Sequence, residues 1–189
     1  MLQNDPSFWK IKIQNPFKMK LTEQEKQHLE DIYQSFLHNE KILRMKHIRM
    51  HRGSNCYEHS FKVAKKAIYH AIRYHKKGLN LESILLGSIL HDYYLYDWRD
   101  DKSKKKKHGH NHPFIASENS SKDFNISKEV KDIIESHMWP INMKHFPKSK
   151  ESRIVSNADK MVSLGESMTT KKHKQMKRET YLSYISHLF

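Results

Sequence analysis

Five residues of this sequence have the types and spacing to do chemistry. His59 lies four residues before Val63 and eight before Ala67, on the apolar stripe of a predicted helix. His137 lies three after Ile134 and seven after Val130, and Asp159 is four after Val155 and three before Val162. His91 and Asp92 are adjacent and follow ILLGSIL, part of the most apolar stretch of the chain. Burying an imidazole or a carboxylate is costly without a partner. A lone inward His is ordinarily a hydrogen-bonded core residue, but five such groups on four helices would each need a buried partner of their own. A shared metal centre satisfies them together, because neutral imidazoles and carboxylates are ligands for borderline divalent ions.

The elements that must position these groups read as helices. Thr22 followed by Glu25 is a capping-box signature, and Leu29, Ile32, Tyr33, Phe36 and Leu37 then share one face. A short segment, KILRMKHIRMH, breaks at Gly53. Asn55, with Glu58 three residues on, starts the helix carrying His59; Val63, Ala64, Ala67, Ile68, Ala71 and Ile72 form its stripe, and Gly78 stops it. Asn80 caps the apolar helix that ends in His91 and Asp92. A Lys- and His-rich loop is expected over about 99–112, with Pro113 opening the next helix. Ser127 starts SKEVKDIIESHMW, stopped by Pro140, and ESRIVSNADKMVSLGESM carries Asp159. No strand-like alternation of useful length is present, so the expected class is all-α.

Set in order, YEHSFKVA, GSILHDYYLYDW, HGHNHPFIASENS, IIESHMWP and IVSNADK resemble the segments of a small bacterial family in the HD-domain superfamily of metal-dependent phosphohydrolases. The resemblance runs from about His51 to Asp159 and implies a single HD-like helical bundle with a metal site in its core. By it, His59, His91, Asp92 and Asp159 match the core metal-binding pattern. His112 and His137 match two further histidines of members with two metals, with His108 and His110 as rivals for the place of His112. The implied cofactor is a divalent transition metal, two ions of Mn, Fe, Ni, Co or Zn, with Mg less natural for four histidines. Tyr93, Tyr94 and Leu95 follow the His-Asp pair where some HD enzymes place a Lys, which leaves the substrate open.

The implied reaction is attack of a metal-activated water on a nucleotide or other small phosphate ester. Asp92 could orient that water. Glu58 and Lys160 are further catalytic candidates, and Arg52, Trp98, Arg99 and His108 are candidates for holding substrate. Each has a plainer reading: Glu58 as a helix-capping residue, Trp98 as packing, Lys160 as a solvated cation. Some HD-fold proteins are di-iron oxygenases with the same ligand order, and a basic nucleic-acid-binding or nuclease protein is a third reading.

The net charge of +14 with His neutral favours an anionic partner: a small phosphate-containing substrate, or nucleic acid through a basic surface such as DKSKKKKHGH. No recognised nucleic-acid module accompanies it. One cysteine, Cys56, excludes a disulfide framework and a Cys-based zinc site. MLQNDPSFWKIKIQ lacks the layout of a signal peptide, and Glu82, His91, Asp92 and Asp97 interrupt the longest apolar stretch, so no membrane span and a cytoplasmic setting are expected. The expected organisation is an N-terminal arm over 1–20, a helical domain over 21–170 and a basic C-terminal helix over 171–189 packed on it. Oligomeric state is not legible.

Overall fold

The structure, a computed structural model, describes residues 21–50, 54–74, 78–97 and 102–168. The expected arm and C-terminal segment lie outside the described residues, as do Arg52, Trp98 and Arg99. The described residues form seven α-helices: α1 (Glu23–Leu37), α2 (Glu40–Leu43), α3 (Cys56–Tyr74), α4 (Leu81–Leu90), α5 (Lys102–Phe124), α6 (Lys128–Ser136) and α7 (Lys150–Met168). A 3₁₀ turn, Arg44–His47, follows α2. Among the described residues the only β-type pairing is an isolated bridge between Arg49 and Asn55. The chain is all-α.

Local signals set the helix starts. Thr22 accepts from the Glu25 backbone N–H, and the Glu25 carboxylate accepts from the Thr22 backbone N–H at 2.7 Å, closing the capping box. Asn80 and Ser127 accept from the backbone N–H groups of Ser83 and Val130, starting α4 and α6. Gly78 takes φ +78°, the left-handed stop its position calls for.

Helix α4 is the centre of the bundle, packed against α3, α6 and α7. It lacks a polar face in its interior because it has no solvent side: Ile84, Leu85, Ile89 and Leu90 are fully buried. Each such side chain contributes about 1.5–3 kcal/mol on burial, which holds the end of the helix deep in the protein. Ala64, Ala67 and Ala71 are fully buried on α3. Gly87 lets α4 and α6 approach closely, since a Cβ there would lie 2.5 Å from Ile133 Cγ2.

Two boundaries differ from the sequence reading. The Lys- and His-rich segment is not a loop from Lys102 onward; α5 begins there and runs through Pro113 to Phe124. Lys is a good helix former, and nothing between Lys102 and His108 breaks the run. Pro113 removes one backbone donor and costs ~3 kcal/mol in a helix interior. Burial of His112, Ala116, Ser117 and Ser120 on the inner face of α5 offsets it. Helix α6 ends at Ser136, with His137 as its C-cap, rather than continuing to Trp139.

Candidate metal centre

Tertiary packing brings His59 from α3, His91 and Asp92 from the turn after α4, His112 from α5, His137 from the end of α6 and Asp159 from α7 into one buried cluster. None is more than 8% exposed. His59 Nε2 lies 3.1 Å from Asp159 Oδ1 and 3.8 Å from Asp92 Oδ2. His91 Nε2 lies 3.4 Å from Asp92 Oδ2 and 3.7 Å from Asp159 Oδ1. On the other side of Asp92, its Oδ1 is 3.3 Å from His112 Nε2 and 3.8 Å from His137 Nε2. Two overlapping triads result, His59–His91–Asp159 and His91–Asp92–His137, each compact enough for one ion. Asp92 faces both halves of the cluster, one oxygen to each.

The ring orientations follow from the opposite edges. Three of the four imidazoles point Nδ1 at a backbone carbonyl one turn back: His91 to Ser88 at 2.7 Å, His112 to His108 at 2.8 Å and His137 to Ile134 at 2.7 Å. A carbonyl oxygen only accepts, so each Nδ1 carries the proton and donates. His59 instead turns Nδ1 to the Glu166 carboxylate at 3.0 Å. All four therefore aim Nε2 into the cluster, the arrangement in which outer hydrogen bonds fix metal-ligating histidines.

The site's charge is unevenly held. Burial opposes protonation of His59, but the hydrogen bonds to Asp159 and Glu166 and the charges of Asp159 and Asp92 outweigh it and raise its pKa to about 10. Burial would raise the Asp92 carboxyl, yet His91 and His112 hold it well below the usual carboxylate range. Asp159 is likewise depressed against its burial by His59, His91 and His137. Burial, with the His91 charge adding to it, pushes His137 down to about 3.

The cluster's chemistry fits a divalent ion. His91 Nε2 is buried without a hydrogen-bond partner although two carboxylates face it. Nitrogen and oxygen donors converge there from both sides, and the outer nitrogen of each imidazole is already hydrogen-bonded. That is a donor set for borderline transition metals.

The turn that delivers His91 and Asp92 is anchored by the residues after it. Tyr93 OH donates to Asp123 Oδ2 at 2.8 Å, and Asn119 Nδ2 donates to the Tyr93 carbonyl at 3.1 Å. Tyr94 OH accepts from Cys56 Sγ and donates to Met50 Sδ. Leu95 then takes φ +54°, turning the chain away. Tyr93 and Tyr94 thus hold the pair in place.

Of the other candidates, His108 stacks on His112 with ring centroids 4.6 Å apart, and its Nδ1 is 2.9 Å from Tyr96 OH. His110 is exposed, while His112 is the α5 histidine in the cluster. Lys160 commits its ammonium to the Ser156 carbonyl and hydroxyl and to the His137 carbonyl, which uses its three donors to brace the α6 terminus. Glu58 sits half-buried in the first turn of α3, its backbone N–H donating to Asn55 Oδ1. Two residues absent from the sequence reading touch the cluster: Glu166 behind His59, and Ser163, whose hydroxyl donates to Asp159 Oδ1 at 3.1 Å. Their signal was spacing, since residues four and seven after Asp159 recur on its helix face.

A model of the HD domain matches residues 56–164, more than half of the chain. The chain belongs to the HD-domain family. No curated protein and no solved structure matches it. HD domains are all-α and bind divalent metals, and their activity is of the metal-dependent hydrolase type, acting on phosphate-containing substrates. The buried His and Asp groups of this HD domain could hold such a metal. Among the described residues, no helix is long and apolar enough to cross a membrane.

Proposed function

We propose that this HD-domain protein is a phosphohydrolase that uses two divalent transition-metal ions to hydrolyse a nucleotide or other small phosphate ester. The observation that carries the reading is the convergence of His59, His91, His137, Asp92 and Asp159 in two overlapping triads, with His112 Nε2 3.3 Å from Asp92 Oδ1 beside them. His59, His91 and Asp159 would hold one ion and His112 and His137 the other, with Asp92 between them. Ions so held supply Lewis acidity toward phosphoryl oxygens and bring the pKa of water near neutrality.

The chain's own groups do the rest. With four of the six donors neutral as ligands, the two carboxylates leave a loaded centre net positive, which draws in an anion. The Asp92 carboxylate, facing both halves, orients the attacking water by accepting its hydrogen bond. Lys160 keeps the α6 terminus, and so His137, in register through the His137 carbonyl. Glu58 remains a catalytic candidate, and Arg52, Trp98, Arg99 and His108 remain candidates for holding the substrate.

The test is metal content by plasma mass spectrometry on untagged protein, joined to phosphate release from a panel of nucleotides and phosphate esters. The expected result is about two transition-metal ions per chain and metal-stimulated release, both lost in Asp92→Ala and His91→Ala. Full loading without release from any phosphate ester would overturn the reading. Oxygen consumption by the iron-loaded protein would point to an oxygenase instead. Salt-dependent nucleic-acid binding that survives ligand substitution, without turnover, would point to a binding module.

A further inference from the structure

Three of the clustered imidazoles are oriented by carbonyls of their own helical turn, which a side-chain substitution cannot remove. His59 is oriented from outside its helix. Its Nδ1 faces Glu166 of α7 at 3.0 Å, and the ring is fully buried. Glu166 is itself fixed: Oε1 accepts from Lys62 Nζ at 2.8 Å and Oε2 from Ser54 Oγ at 3.3 Å. Lys62 is on α3, so the carboxylate joins two helices that each contribute a candidate ligand. Glu166 lies beyond the last residue of the family match, at 164.

From this geometry we infer that Glu166 is a positioning residue for one half of the metal centre. It holds the His59 ring with Nε2 toward Asp159 and Asp92, and its charge raises the basicity of that nitrogen. The inference rests on the metal reading above. It makes the two halves unequal: the ion on the His59, His91 and Asp159 side depends on a replaceable carboxylate, while the His112 and His137 side depends on backbone. Partners of this kind typically change metal affinity by about 10–100-fold.

The experiment is titration of metal-stripped full-length protein with cobalt, following stoichiometry by mass spectrometry, affinity by calorimetry and ligand geometry by the visible cobalt spectrum. Wild type, Glu166→Ala, Glu166→Gln and Lys62→Ala are compared. In Glu166→Ala one cobalt is expected to bind about 10–100-fold more weakly, with a changed visible spectrum, while the second binds as in wild type. Glu166→Gln retains an acceptor for Nδ1–H and should recover most of the loss. Circular dichroism of the stripped proteins checks that each is folded.

Two results would overturn the inference while leaving the metal reading in place. If Glu166 only ties α7 to α3, Glu166→Ala and Lys62→Ala will lower the Tm alike and leave both cobalt affinities and the spectrum unchanged. If Glu166→Ala weakens both ions equally, the halves are not separately positioned. Wild-type protein that takes up no cobalt would remove the metal reading, and this inference with it.

Discussion

His112 Nε2 and His137 Nε2 face each other across 3.0 Å, although each ring has already given its Nδ1 proton to a backbone carbonyl. When both rings are neutral, both nitrogens present lone pairs to the same small space, with Asp92 Oδ1 beside them. Two lone pairs at that distance repel unless a proton or a cation lies between them. The fold holds them there because His112 is fixed by the inner face of α5 and His137 by the terminus of α6. A cation is therefore worth more to the folded state than to the unfolded chain.

Divalent ions should accordingly raise the Tm in a concentration-dependent way. Linkage gives about 2.7 kcal/mol of stabilisation at a free ion concentration 100 times Kd. In His137→Ala, the share of that increment due to the ion on the His112 and His137 side should disappear, while the metal-free protein keeps its helical content. Scanning calorimetry with and without manganese or cobalt measures this. An unchanged increment in His137→Ala would place the bound ion elsewhere.

Metal uptake near pH 7 should release protons. The pKa of His59 is raised to about 10, and that of His91 is also raised, against the burial of both rings, by the carboxylates around them. At neutral pH the metal-free His59 ring therefore carries a proton that ligation must displace, and the upward shift of His91 acts in the same direction. Affinity should increase with pH through neutrality and level off only as pH passes the His59 value. Calorimetric heats in buffers of different ionisation enthalpy give the number released. Heats that do not vary with buffer would rule this protonation pattern out.

The sequence made much of this site legible because burial of polar groups on apolar stripes is visible without coordinates. His59, His137 and Asp159 each sit at helical spacing from Val and Ile, and packing turns those stripes inward. The limits are equally physical. Pro113 is a strong local signal for a helix start, but the inner face of α5 outweighed it and the helix begins at Lys102. Glu166 looks like any solvated acid in a polar helix end. Its position behind His59 depends on how α7 crosses α3, which no local pattern encodes. Tyr93 and Tyr94 read as a departure from the family's sequence, and only their partners Asp123, Cys56 and Met50 reveal an anchor.

Acid should destabilise the metal-free protein through Asp159 and Glu166. Burial works against the Glu166 charge, but hydrogen bonds from His59 and Lys62 pull its pKa down to about 2. Asp159 is lowered as well, against its burial, by His59 and the neighbouring imidazoles. A depressed carboxyl contributes stability that is complete above its unfolded value, about 4 for either residue, and is lost as pH falls through the folded one. The urea midpoint should therefore hold down to about pH 5 and fall below it, with a shallower fall in Glu166→Gln. Parallel curves for the two proteins would remove Glu166 as a contributor.

Gly87→Ala tests whether the close approach of α4 and α6 sets the site. The added Cβ would meet Ile133 Cγ2 at 2.5 Å and Ile133 Cβ at 3.0 Å, and Ile133 is fully buried in α6 with little room to move. Overpacking of this kind costs about 1–3 kcal/mol. Because His91 follows α4 and His137 caps α6, pushing the helices apart also spreads the triad they share with Asp92. The variant should therefore lose metal affinity along with stability. In the double variant Gly87→Ala/Ile133→Ala the clashing methyl is gone, so the two costs should be less than additive, and part of the metal affinity should return. Chemical denaturation of the four proteins in the cycle, with a metal titration on each, measures both effects. Simple additivity in stability would mean that the α4–α6 contact yields without strain and does not govern the spacing of His91 and His137.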